Sequence, residues 1–127
     1  MENNKTSASL LLEEIENLHD SNIENILIFY RTFGETGIDD YPKEITDIQI
    51  KLQLPIHSDI RFSKKNIKIL FSDVKEYYIE KNSNWSWLIL SAFDKKENDG
   101  FNRFIIDNYF NVIYKHFRWD FIDNNDE

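Results

Sequence analysis

At 127 residues, with 41% hydrophobic and 15% aromatic residues and a formal net charge of −8, the chain has the balance of one packed domain and not of a disordered segment. It contains no cysteine, which excludes disulfide scaffolds, thiolate metal sites and thiol nucleophiles. The N-terminal apolar run is only Leu10 to Leu12 and nothing approaches the length of a membrane span, so a cytoplasmic protein without membrane contact is expected.

In chain order, Leu11, Ile15 and Leu18 recur at helical spacing and predict an amphipathic helix over residues 7–19. Ser21 and Glu24 have capping-box spacing, so a second helix is expected to follow and to stop at Gly34, although "ILIFY" is also strand-like. "TDIQIKLQL" alternates strictly, with Ile48, Ile50, Leu52 and Leu54 on one face. It predicts a half-buried strand over 46–54, ended by Pro55.

Ile67, Leu70, Phe71, Val74 and Tyr78 stand three and four apart and predict a further helix over 64–81. The apolar run over 85–93 is expected to be a central strand. Residues 101–119 have some helical spacing but no Ala, Leu, Glu, Gln or Met. Two antiparallel strands joined near 107–111 are the better reading, and they complete a C-terminal meander. The expected fold class is therefore α+β: N-terminal helices, one central helix and an antiparallel sheet formed mostly by the C-terminal half. It forms a single domain over 1–127 with short disordered ends at about 1–6 and 122–127.

Chemical motifs are scarce. His19, His57 and His116 lie far apart and fit no HxH or HExxH spacing, the aspartates form no calcium loop, and three glycines cannot build a phosphate cradle. No catalytic, metal-binding or cofactor-binding residue is expected, and the protein is read as a non-enzyme. The three tryptophans and ten phenylalanines are assigned to core packing in preference to a nucleic-acid stacking surface, because lysine and arginine are not interleaved with them.

Charge is the strongest signal. Residues 1–50 hold eleven acids against three bases, residues 51–119 eight acids against twelve bases, and residues 120–127 four acids and no base. Such asymmetry suits a basic protein partner better than nucleic acid. Within the acidic half, "GETGIDDYPKE" over 34–44 combines turn residues with more carboxylates than a turn needs. Glu35, Asp39, Asp40, Tyr41, Glu44 and Asp47 are the expected partner-binding residues.

In its small size, acidity, lack of cysteine and lack of motifs, the chain is similar to bacterial toxin-immunity proteins. That resemblance implies a cognate, basic, nuclease-type toxin neutralised by surface coverage. Two alternatives remain open at this level: a phage or mobile-element inhibitor that mimics nucleic acid, and a small-ligand binder or enzyme with a pocket among the aromatics.

Overall fold

The computed structural model describes residues 4–15, 18–33, 43–54, 66–80 and 87–122. These residues form nine strands in two antiparallel sheets, with one 3-10 turn, Asn4–Thr6, and one short helix, α1, Ala8–Glu14. The strands are β1 Asn22–Phe33, β2 Lys43–Gln53, β3 Asn66–Ser72, β4 Glu76–Ile79, β5 Trp87–Leu88, β6 Ala92–Lys96, β7 Asn102–Ile106, β8 Phe110–Tyr114 and β9 His116–Ile122. One sheet has the order β5-β1-β2-β3-β9, the other β4-β8-β7-β6. Among the described residues no helix is long and apolar enough to cross a membrane.

The α+β class is thereby corrected to mostly β. Of the first expected helix, over 7–19, only Ala8–Glu14 is helical, as α1, where the Ser7 hydroxyl accepts the Leu10 amide at 3.2 Å and Leu11, Leu12 and Ile15 are buried; His19 lies in a turn. The second expected helix, to Gly34, is β1, and the central helix over 64–81 is β3 and β4. Both segments mix β-branched and aromatic residues so densely that spacings of two, three and four all occur. Pairing with a neighbour then decides between the two periods. In β3 the period-two set wins: Ile67, Ile69 and Phe71 are fully buried and face Leu52, Ile50 and Ile48 of β2. Asp73, with φ of +56°, ends the strand where a helix would have continued.

The strand expected over 46–54 is β2, with the buried face as read. The 85–93 run is not one central strand. It supplies β5 at an edge of the first sheet, then crosses at Leu90 and Ser91 to β6 at an edge of the second. The Asp107 carboxylate accepts both crossing amides, at 2.9 and 3.0 Å. The 101–119 region holds parts of three strands, not two. β7 and β8 pair around residues 107–109, and β9 leaves for the other sheet.

The two sheets are joined by one bent ribbon. β3 pairs with β9 up to Ser72 opposite His116, and β4 pairs with β8 from Glu76 opposite Ile113. Residues 73–75 therefore oppose only 114–115, and the extra residue bends the ladder as a bulge does. The Lys115 backbone amide donates to the Ser72 carbonyl and the Lys75 amide to the Ile113 carbonyl on either side of the bend. Inside the fold, Phe71 packs against Phe104, Phe110, Tyr114 and Phe117, with ring centroids 5.2–5.9 Å apart. Helix α1 packs on β6 and β9, the edge strands of the two sheets, and shields the gap between them.

Candidate functional site

Two regions carry side chains that the core does not account for, and each is organised around an aspartate withdrawn from solvent, Asp47 buried and Asp94 half-buried. The first is the hairpin of β1 and β2, the two longest strands, paired from Asn22 opposite Gln53 to Phe33 opposite Lys43. A register shift between Ile23 and Asn25 sets the faces: Ile26 and Ile28 then turn to the core, while Leu27, Phe29 and Arg31 face outward. Leu27 and Phe29 are each 42% exposed, a large apolar surface for neighbouring outward positions.

Beside them Asp47, opposite Phe29, takes the Arg31 fork: Nε donates to Oδ2 at 2.6 Å and Nη2 to Oδ1 at 3.0 Å. Oδ1 also accepts the Asp73 amide at 3.2 Å, and the Thr46 carbonyl accepts the Val74 amide at 2.9 Å. Arg31 Nη2 lies 3.6 Å from Asp73 Oδ1, and His116 Nε2 lies 3.6 Å from Asp73 Oδ2. The cluster fastens the hairpin to the bend between the sheets. Burial alone would raise the Asp47 pKa, but the Arg31 hydrogen bonds, the Asp73 amide and the guanidinium charge outweigh it and hold the carboxyl below its ordinary value.

Of the residues expected to bind a partner, Asp47 is therefore engaged within the molecule. Glu44 lies on β2 opposite Thr32, with its side chain outside what the structure describes. Glu35, Asp39, Asp40 and Tyr41 lie outside the described residues, between the hairpin's last paired residues, Phe33 and Lys43. The same holds for the turn roles read for Gly34, Gly37 and Pro42, and for His57. His19 Nδ1 is 2.8 Å from the Leu90 carbonyl, whereas His116 stands beside Asp73 at the bend.

The second region is a cleft of about 620 Å³ at the end of the four-stranded sheet, bounded by residues 6–9, by β3 and by β9. Its floor holds Asp94, Asn102 and Tyr114, from three neighbouring strands. The Tyr114 hydroxyl donates to Asp94 Oδ1 at 2.6 Å and Asn102 Nδ2 donates to Oδ2 at 2.8 Å. Here burial is the dominant influence, and the two neutral donors and the Lys96 charge offset it only in part, so the Asp94 pKa is raised. Burial and the Asp94 carboxylate likewise raise the Tyr114 hydroxyl, which stays protonated as a donor. This trio escaped the sequence reading because its members are 8 to 20 residues apart and meet only through strand pairing. The available signal was polar residues on inward positions: Asp94 and Lys96 continue the inward alternation that begins with buried Ala92.

No protein-family model, curated protein or solved structure matches this chain.

Proposed function

We propose that the protein is a stoichiometric inhibitor of the immunity type, which covers a basic site on a cognate toxin in the cytoplasm without catalysis or a cofactor. One observation carries the reading: the acidic stretch 34–42 runs between the paired ends of a hairpin whose outer face exposes Leu27 and Phe29. Exposed apolar residues on the strands, together with carboxylates in the stretch that connects them, have the composition of a protein-binding segment. Glu35, Asp39, Asp40, Tyr41 and Glu44 are the proposed contacts. Asp47 supports them from the stem through Arg31 and the bend.

Carboxylates on such a surface raise the rate of encounter with a basic partner and set its orientation. The test is affinity capture of the partner from the producing cell, followed by association kinetics at low and high salt. With the Asp39→Lys, Asp40→Lys double variant, the on-rate at low salt should fall by about tenfold or more and lose most of its salt dependence. A tight partner whose on-rate ignores both salt and the substitutions contradicts the reading.

A further inference from the structure

Beyond protein binding, we propose that the cleft over Asp94 binds a small phosphate monoester, with Lys96 and Arg118 holding the phosphate and Asp94 accepting a hydroxyl or amine of the ligand's body. The first argument is local charge. Lys96, Lys115 and Arg118 all line the cleft and are exposed, against the single carboxylate of Asp94, in a chain whose net charge is −8. Lys115 and Arg118 are neighbours in sequence, at the bend after β8 and on β9, but Lys96 comes from β6, so the fold and not the sequence brings it to them. Like charges gathered around one concavity repel one another, and an oxyanion placed among them relieves that cost.

The cations are not equivalent. Lys115 also lies 5.7 Å from the Phe101 ring, in cation–π range, which leaves Lys96 and Arg118 as the principal pair. An ammonium and a guanidinium together suit a phosphate dianion, which offers three acceptor oxygens.

The floor argues for an ester over the free ion. An ionised carboxylate has about four lone-pair sites, and Tyr114 and Asn102 use two of those on Asp94. Each oxygen can still accept one donor from the cleft side: a sugar or nucleoside supplies a neutral hydroxyl or amine there, whereas inorganic phosphate could offer only its own P–OH and would bring its negative charge against the Asp94 carboxylate. Phe117 and Leu70 add apolar wall beside this polar floor. The volume falls within the range of about 300–1,000 Å³ that small-molecule sites occupy.

The experiment titrates the intact protein with inorganic phosphate, ribose 5-phosphate and adenosine 5′-monophosphate, by calorimetry and by amide shifts of β6 and β9. At least one of the two esters should bind about tenfold or more tightly than phosphate. The Lys96→Gln, Arg118→Gln double variant should weaken that ester about tenfold or more. Lys68→Gln with Lys95→Gln, which removes the same charge from positions outside the cleft, should leave binding unchanged. Asp94→Asn should erase the preference for ester over phosphate while the phosphate affinity persists, with a native amide spectrum as the folding control. The proposal is overturned if neither ester binds at about 1 mM. It is equally overturned if phosphate binds as well as the esters, or if the control variant loses as much affinity as the cleft variant.

Discussion

Asp47 and Asp94 are a natural pair of controls for each other. Both sit among strand residues at the edge of the core and both are pushed toward protonation by burial. Asp47 meets a guanidinium at 2.6 Å and its pKa falls; Asp94 meets a phenol at 2.6 Å and an amide at 2.8 Å, and its pKa rises. The two carboxyls thus shift in opposite directions: a hydrogen-bonded guanidinium and a backbone amide outweigh burial at Asp47, and neutral hydrogen-bond donors with the Lys96 charge do not at Asp94. The difference also separates their roles. Asp47 has its charge compensated by a directly bonded guanidinium and fastens the hairpin to the bend, whereas Asp94 is bonded only to neutral donors and feels the Lys96 charge as its weakest influence.

Removing what the two regions share should have the largest effect. Phe71 is fully buried, contacts Tyr114 beside Asp94 and belongs to the strand that leads into Asp73. Phe71→Ala should destabilise the fold by about 4 kcal/mol, read by denaturant unfolding, and loosen both sites together. A cost under about 1 kcal/mol would show that the aromatic cluster is not the common support.

Asp47→Ala should cost about 2 kcal/mol, because it strands the Asp73 amide and removes charge-assisted bonds, and amide exchange should quicken at the bend. Tyr114→Phe should cost less, about 1 kcal/mol, because Asp94 retains Asn102. Equal losses in the two variants would erase the distinction between clamp and floor.

The pH dependence sharpens the same contrast. The folded pKa of Asp47 lies below its unfolded value of about 3.9, so its contribution is complete above that pH and is lost as pH falls through the folded value. For Asp94 the folded pKa lies above the unfolded one. Stability from this group is therefore greatest below about pH 4 and declines as pH rises through the folded value. Stability profiles of wild type minus Asp47→Asn and of wild type minus Asp94→Asn should slope in opposite directions. Slopes of the same sign would refute the partner-charge account.

How much of this was legible depended on whether one period dominated. β2 could be read because polar residues occupy every second position, and α1 because Leu11 and Ile15 are separated by helix formers. β1 and β3 could not, since their outward positions also carry apolar residues such as Leu27, Phe29 and Leu70, which blur period two into period three or four. The break of the 85–93 run at Leu90 depends on Asp107, a partner 16 and 17 residues away. The turn before β7 was more accessible: Asp99 and Gly100 both have positive φ, at +62° and +83°, the conformation that an Asp-Gly pair favours in tight hairpins. The clamp and the cleft lay beyond reach for a physical reason, since each joins residues from separate strands whose register had first to be known.

The most direct test of the central claim, that the hairpin is the partner-binding surface, is amide hydrogen exchange of the protein free and bound to its captured partner. The account predicts slowed exchange over residues 25–47, with the Asp94 and Asn102 amides of the cleft unchanged. Protection confined to the cleft and β9, with β1 and β2 exchanging as in the free protein, would contradict it.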